Sequence, residues 1–513
     1  MACLLDAADL DRCWEELRLA DFLEVRADRV GDLEVASLRE RFDGALLYTL
    51  RTAGEGGAFD GDSAERRRRL GAAVAAGYDL IDVELEADGQ DTQLLDAVPA
   101  RQRVVSWHGR FGDPKTCADL ERVLDRQLSV DAAHRKIVAA ADTTDEALSA
   151  VEALIAGVER LAGSSSPELS PGFTCFAMGD AGSWTRPLAA RLGGALTFGA
   201  VTEQAAAGQI RLDRLVRDHA LNRPQARPKC LFGVVGWPVA HSLSPRLHNA
   251  AYREGGLEDS MFLPFATESF DDFWNVVTSG RFEALGLALG GFAVTTPHKE
   301  AAASRAAAQS EVVAAIGAGN TLTPHGRGWR IDSTDPDGII GPLRARGLAL
   351  AGMRVAVVGA GGAGRAALVG LRDAGAEAVL VNRTEATGER VAERLGADFV
   401  ALDAFDPGGF EVIVNATALG HDAADPMPFD VERTEAAVVD MVYRGSEVTG
   451  STDLIEAARR KQLVTVDGRE VLLHQALRQY ERMTGRRMNG ASAARRLEAP
   501  WFAQNPSEAE ETR

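Results

Sequence analysis

The sequence predicts an α/β protein in two parts: a closed (β/α)8 barrel, then a two-lobed α/β unit. Three observations predict it. Short apolar runs alternate with helical stretches from the start to about residue 220. A polar segment with two prolines, LNRPQARPKC (221–230), interrupts that rhythm before it resumes. Further on, the run MRVAVV leads directly into a glycine-rich turn and a helical pattern. The 513 residues exceed one compact core, and at about 150 residues per domain they suggest about three domains.

Taken in order, seven runs read as buried parallel strands: DFLEVRAD, ALLYTLR, LIDVELE, RVVSWHG, RKIVAAA, FTCFAMG and ALTFGAV. Each is continuous, rich in Val, Leu or Ile, and followed by polar residues, as strands covered on both faces are. Repeated β–α units over this length point to a (β/α)8, or TIM, barrel. An eighth strand has only Met1–Leu5 to occupy. GSSSPELSP (163–171) reads as a loop. The barrel takes residues 1–222, and the linker 223–230 follows. LFGVVG, MFLPFA and ALGGFAVTTP mark a second unit over 231–340. A third, over 341–465, opens with MRVAVVGAGGAGRAALVGL. The amphipathic pattern VLLHQALRQYERM places C-terminal helices in 466–500 that return to the second unit. The polar, acidic stretch 501–513 reads as a frayed tail.

Composition excludes several classes. Hydrophobic residues at 46% and charged residues at 26% describe a globular chain. A net charge of −19 argues against nucleic-acid or anionic-membrane partners, because no broad basic surface is available. No apolar run reaches about 18 residues, so no membrane span is expected. The first ten residues carry two aspartates and no basic cluster, unlike a signal or transit peptide. Five scattered cysteines without a CxxC fit a reducing, cytoplasmic location. The nine histidines form no HxxxH or HxxE cluster, so no metal is expected. Only five lysines occur, Lys115, Lys136, Lys229, Lys299 and Lys461, against 51 arginines. Arg cannot replace Lys where chemistry needs a neutral amine or a compact, titratable ammonium.

Gly359, Gly361, Gly362 and Gly364 follow the MRVAVV strand and open a helix. Glycine lets the backbone approach a pyrophosphate, and the helix N-terminus stabilises its charge. The next strand ends in Asn382–Arg383–Thr384. An arginine where a ribose-binding carboxylate would stand favours NADP(H).

Beyond this turn, the segments GWPVAHSLSPRLHNAAY, GGFAVTTPHKE, GAGNTL, STD, VNRT, VNATALG, DMVYRG and DGREVLLHQA resemble the shikimate dehydrogenase family, in that order. The resemblance implies a substrate lobe and a Rossmann NADP lobe. It implies Lys299 and Asp335 as the pair that assists proton transfer beside a hydride acceptor. Ser242 and Ser244 would hold the substrate carboxylate. Thr295, Asn320, Tyr443 and Gln475 would be further substrate contacts, and Asn415 and Thr417 would line the cofactor side. Ala293 and Ser333 stand where the family often has Asn, and Thr387 where it often has a basic residue. Arg390 lies one helical turn beyond Thr387.

In the first part, EVRAD, TLRTAGEGG, SWHG, KIVAAA, MGDAGSWTR, TFGAV and AAGQI resemble type I 3-dehydroquinate dehydratase. The resemblance implies Lys136 as a Schiff-base lysine, His108 as general acid/base and Glu55 as its orienting carboxylate. Burial among apolar residues would lower the amine's pKa and free it for attack. Glu24, Arg26, Arg51 and Gln209 would contact substrate, and Arg186 would clamp its carboxylate. Ala205 stands where a loop serine is common. By alternation Asp82 and Glu84 face inward, as barrel-lining structure. Apart from Lys136, at the head of its strand, these site residues fall at or near a strand's C-terminal end, where such barrels place their chemistry.

The two activities are consecutive, and their order resembles the fused dehydratase–shikimate dehydrogenases. The small-molecule partners implied are 3-dehydroquinate, 3-dehydroshikimate and shikimate. One alternative is a second half that prefers quinate and NAD. Another is that one half is inactive and regulatory, which the presence of all four of Lys136, His108, Lys299 and Asp335 disfavours.

Overall fold

The computed structural model describes residues 2–4, 13–111, 119–162, 172–201, 207–422, 424–444 and 450–498. The expected loop at 163–171, Ala205 and the expected tail at 501–513 lie outside them. Compactness divides the chain into two units. One holds the chain up to Cys230 together with Glu258–Ala288; the other holds Leu231–Leu257 and the chain from Leu289 onward.

The first unit is built on an eight-stranded parallel sheet. Its strands are β1 (Ala2–Leu4), β2 (Phe22–Arg26), β3 (Ala45–Thr49), β4 (Leu80–Glu84), β5 (Arg103–Arg110), β6 (His134–Ala140), β7 (Gly172–Met178) and β8 (Gly199–Ala200). Their order is β7-β6-β5-β4-β3-β2-β1-β8. The chain leading into β8 lies beside β7: Ala195 N–H donates to Phe173 C=O, and Leu196 N–H donates to Thr174 Oγ1. That contact brings the two ends of the sheet together as a barrel. The short first strand fits the space the sequence left for it. The run ALTFGAV, expected as a full strand, contributes only two residues of ladder. A hydrophobic cluster of Leu23, Val25, Leu46, Tyr48, Ile81 and Val83 faces the outer helices. Alternation therefore sends Glu24, Arg26, Asp82 and Glu84 to the inside.

A mixed six-stranded sheet contains β9 (Cys230–Gly236), β10 (Ser260–Ala266), β11 (Ala288–Val294), β12 (Ala308–Gln309), β13 (Thr321–His325) and β14 (Gly328–Asp332), in the order β10-β9-β11-β13-β14-β12. The hairpin β13–β14 went unread in the sequence. Its two-residue loop starts at Gly326, whose φ of +59° suits the first position of a tight hairpin turn.

The last sheet is all parallel: β15 (Arg354–Val358), β16 (Glu377–Asn382), β17 (Asp398–Ala401), β18 (Val412–Asn415), β19 (Ala437–Asp440) and β20 (Thr465–Val466). The order β17-β16-β15-β18-β19-β20 is the 3-2-1-4-5-6 arrangement of a Rossmann fold. Val355 and Val357 pack on one face, Ala356 and Val358 on the other. Burial of both faces explains why the strand reads as an unbroken apolar run. The helix Gly468–Thr484 then reaches the residues of the mixed sheet: Gln479 Nε2 donates to Asn320 C=O, and Tyr480 Oη donates to Ala251 C=O.

Candidate active sites

The barrel site grows from strand register. Glu84, Ser106, Lys136 and Thr174 are successive partners across β4 to β7, so they form one inward layer. His108, Val138 and Phe176 form the layer above. A cavity of ≈ 410 Å³ opens on these residues, lined also by Glu24, Arg26, Arg51, Glu55, Arg186, Phe198 and Gln209. The structure thus brings all eight barrel residues singled out by the sequence into one site.

Arg51 organises its floor. Its guanidinium donates to Asp82 at 2.8 Å, Glu84 at 3.0 Å, Ser106 at 2.8 Å and Glu55 at 3.2 Å. Five donors in a rigid fork suit this task, and Lys could not match them. Ser106 Oγ in turn donates to Asp82, and Thr52 donates to Glu84 through both its N–H and its hydroxyl. Sequence reasoning missed Ser106, although its two-residue spacing from His108 placed it on the same face. Arg26 forms a fork with Asp28 at 2.8 and 2.9 Å, a partner unread in the sequence. Glu24 accepts from Thr49 Oγ1 at 2.9 Å.

His108 and Glu55 form the titratable centre. Glu55 Oε2 accepts from the backbone N–H of His108 at 3.1 Å and lies 2.8 Å from its Nδ1. Glu55 Oε1 has no hydrogen-bond partner among the described residues. Burial, then the cations Arg51, Lys136, Arg26 and Arg186, push the His108 imidazolium well below its ordinary range. Burial also pushes the Glu55 carboxyl well up, with Arg51 opposing and Glu84 and Asp82 adding to it. Both shifts favour uncharged partners. Lys136 is buried, its Nζ 4.0 Å from the centroid of the Phe198 ring. Arg186 lies over Phe176 at 4.4 Å.

The second site joins helix starts to the mixed sheet. Lys299 opens the helix Lys299–Arg305, and Asp335 opens the helix Asp335–Ala345. Lys299 Nζ donates to Asp335 Oδ2 at 2.6 Å. The other oxygen accepts from Asn320 Nδ2 at 2.8 Å and Gln475 Nε2 at 3.0 Å. Four of the residues expected there, from four distant segments, thus form one network. Ser242 and Ser244 are buried and linked, Ser244 N–H donating to Ser242 Oγ at 3.2 Å. Thr295 packs on Gly236, where any Cβ would stand 2.3 Å from its methyl group. Tyr443 lines another cavity, of ≈ 360 Å³, together with Arg444, Thr452 and Arg469. That cavity is lined by neither Lys299 nor Asp335.

A dinucleotide cradle adjoins the second site. Gly359 has φ +113°, a region that favours glycine. A Cβ on Gly364 would lie 1.9 Å from the Gly359 carbonyl oxygen, so the helix Gly362–Asp373 starts tight against the turn. Gly361 faces open space, and no side chain caps the helix. Its first N–H groups are therefore available to an anion. The Lys299 stem lies against Gly362, a Cβ there falling 3.6 Å from Lys299 Cδ. Asn382 Oδ1 accepts from Ala360 N–H at 3.1 Å and its Nδ2 donates to Thr384 C=O, while Arg383 stays exposed. These residues fit a phosphorylated dinucleotide. Asn415 is buried and spends its side chain internally, donating to Asp440 and Leu419 and accepting from Thr417. It shapes the turn that carries Thr417. Asp440 was also unread in the sequence; burial pushes its carboxyl up to about 6, against hydrogen bonds from Thr452, Val442 and Asn415. Among the described residues no group of three or more His, Cys, Asp or Glu side chains could hold a metal ion. No described helix is long and apolar enough to cross a membrane.

Known proteins share both halves. Residues 4–221 match the family model of type I 3-dehydroquinase, and residues 234–322 match that of the shikimate dehydrogenase substrate binding domain. The bifunctional 3-dehydroquinate dehydratase/shikimate dehydrogenase of Arabidopsis thaliana chloroplasts is 29% identical over 494 residues, covering 91% of this chain and 78% of that one. The shikimate dehydrogenase (NADP(+)) of Halobacterium salinarum is 38% identical over 259 residues, 50% of this chain and 93% of its own. A crystal structure of shikimate 5-dehydrogenase from Thermus thermophilus, in complex with NADP(H) and shikimate, is 32% identical with a TM-score of 0.46. It covers 52% of this chain and 99% of that one.

Proposed function

The chain belongs to the shikimate dehydrogenase family and carries a type I 3-dehydroquinase domain ahead of it, and we propose that its two sites act in sequence. The barrel dehydrates 3-dehydroquinate to 3-dehydroshikimate; the second half reduces that product to shikimate with NADPH. The domain boundaries that go with this reading are near 222, 340 and 465.

In the barrel, Lys136 attacks the substrate ketone and water leaves as the imine forms. The imine then accepts electrons as His108 removes the neighbouring proton, and the substrate hydroxyl departs as water with a proton returned by His108. Water then hydrolyses the product imine, which frees 3-dehydroshikimate and restores the Lys136 amine. The observation that supports this most is that Lys136, His108, Glu55 and Arg186 line one cavity, with Glu55 Oε2 2.8 Å from His108 Nδ1. Glu55 occupies Nδ1, which leaves Nε2 for proton exchange. Arg186 clamps the carboxylate, and Arg26, Glu24, Arg51 and Gln209 position the ring.

In the second site, Gly359, Gly361, Gly364 and Arg383 would hold NADPH, which supplies a hydride. Asp335 holds the Lys299 ammonium so that its proton faces the developing alkoxide. Asn320 and Gln475 fix Asp335 from its other side. Ser242 and Ser244 hold the substrate carboxylate, and Thr295 completes the contacts. We also place the enzyme in the cytoplasm, without a nucleic-acid partner; the free cysteines Cys175 and Cys230 and the net charge of −19 support this.

The coupled assay tests the whole reading. Purified protein should form shikimate from 3-dehydroquinate and NADPH. Lys136→Ala should stop the first step alone, and Lys299→Ala the second alone. Borohydride with 3-dehydroquinate should leave a covalent adduct on Lys136; an unmodified Lys136 would sink the imine mechanism.

A further inference from the structure

The barrel's anion clamp is braced by a piece of the dehydrogenase sequence. Arg186 sits in the helix Thr185–Arg191, joined to β7 by the loop Gly179–Trp184. The inner side of this loop is tied to the barrel. Thr185 Oγ1 accepts from Ala177 N–H at 2.9 Å and donates to Gly182 C=O at 2.7 Å. Gly182 lies so close to β7 that a Cβ would come within 2.6 Å of the Ala177 methyl.

The outer side is tied elsewhere. Residues two apart on a helix point to different sides, so Trp184 faces away from the cavity that Arg186 lines. Its indole is fully buried, 4.8 Å from the Phe265 ring and 6.0 Å from the Phe282 ring, centroid to centroid. Both rings belong to Glu258–Ala288, the segment that groups with the barrel although the dehydrogenase family model spans it. Arg191, at the end of the same helix, donates to the carbonyls of Glu258 and Ser260. The helix Thr144–Ala162, which follows the Lys136 strand, is held by the same segment. Thr144 N–H donates to Asp272 at 2.7 Å, and Arg281 forms a fork on Glu152 at 2.7 and 2.8 Å.

We propose that Trp184, seated against Phe265 and Phe282, is a positioning residue for the dehydratase, so that the second enzyme's segment sets the first enzyme's substrate affinity. Carboxylate capture by a guanidinium fork depends on fixed geometry. Internal tethers alone leave the loop free to tilt outward; the aromatic seat closes that direction. Trp184 touches no substrate and acts through Arg186. The proposal rests on the dehydratase reading of the barrel.

Full-length Trp184→Leu and Phe282→Leu test it by initial rates on 3-dehydroquinate. Both should raise KM about tenfold while kcat stays within about twofold, since displaced clamps lose binding and not the imine chemistry. Trp184→Phe should restore KM. Borohydride trapping at saturating substrate should still label Lys136 fully, which a merely unfolded barrel would not allow. Trp184→Leu should leave the KM for 3-dehydroshikimate unchanged. A wild-type KM in both Leu variants, beside a raised KM in Arg186→Ala, overturns the proposal alone. A fall in trapped Lys136 that matches the fall in rate also overturns it. A wild-type protein that does not dehydrate 3-dehydroquinate overturns the dehydratase reading and the proposal with it.

Discussion

The two active-site lysines occupy opposite environments. Lys136 is buried within a parallel strand, between Arg135 and Ile137, with an aromatic ring beneath its amine. Lys299 sits at a helix start, one-sixth exposed, in a 2.6 Å ion pair with Asp335. An aromatic face holds an ammonium by about 0.5–2 kcal/mol. Stranding a buried ion by removing its partner costs about 3–5 kcal/mol. The first setting is an aromatic face; the second is a close ion pair. On the proposed mechanism, a nucleophile and a proton donor are thus made from one residue type by what stands next to it.

Exchange for arginine should break the two sites unequally. Lys136→Arg keeps a cation but removes the amine proposed to form the imine. Dehydratase kcat should fall by about 10⁴–10⁶, as when a covalent nucleophile is lost. Lys299→Arg keeps a charge that can form a fork on Asp335. It loses only the titratable proton, so dehydrogenase kcat should fall by about 10²–10⁴. Steady-state rates for each half on its own substrate decide this. A Lys136→Arg enzyme that kept even a hundredth of its rate would undo the contrast.

Electrostatic crowding separates the two sites as well. Around His108 stand Arg26, Arg51, Lys136 and Arg186, all shifting its proton affinity the same way as burial does. Around Asp335 stand one cation and two neutral amides. The dehydratase should therefore keep its base form to lower pH than an ordinary imidazole allows. The acid limb of its kcat/KM profile should lie below pH 6.5, with an apparent pKa that belongs to the His108–Glu55 pair. The stability consequence follows the same sign. Below 6.5 the unfolded chain gains a proton on this histidine that the folded chain refuses, so His108 costs stability as pH falls from 6.5 toward its depressed folded value. An acid limb at or above 6.5 would show that the cations do not act on His108 in the working enzyme.

The difference between the halves also governs what could be read before any coordinates. Barrel residues announced themselves through strand ends and period-two alternation. Glu24 with Arg26, and Asp82 with Glu84, face inward because one side of each strand must face the barrel interior. What alternation cannot give is pairing. Arg26 forms its fork on Asp28, and Arg51 gathers three carboxylates from two segments, because side-chain direction beyond the strand ends is set by loops. In the second half, Lys299, Asn320, Asp335 and Gln475 come from helix starts and turns with no shared period. Only their motif context picked them out. The hairpin β13–β14 was missed because its strands are short and rich in polar residues, so periodicity had little to register. Asp440 stayed hidden for a related reason. A single carboxylate at a strand end looks like a solvated cap until Asn415 and Thr452 are seen to close over it.

The cofactor cradle offers the finest test, because its two ends rest on unequal constraints. At the pyrophosphate end, backbone packing leaves no room: any Cβ on Gly364 would overlap the Gly359 carbonyl. At the ribose end the group we propose as selecting is Arg383, exposed on a loop. Contacts between exposed charges are weak and fade with salt. Arg383→Ala should therefore raise the KM for NADPH by about tenfold at low ionic strength and leave the KM for NADH within about twofold. The gap should narrow in about 0.5–1 M salt, roughly as the screening length shrinks toward 3 Å. Calorimetric binding of adenosine 2′,5′-bisphosphate should weaken in parallel, which separates recognition from catalysis. Arg390, on the helix Glu385–Leu395, projects its long side chain back toward the N-terminus that follows Arg383. Arg390→Ala should give a smaller loss of the same kind, and the double variant should lose the preference altogether. If Arg383→Ala binds the bisphosphate as the parent does, selectivity must come from the rigid end of the cradle and not the exposed one.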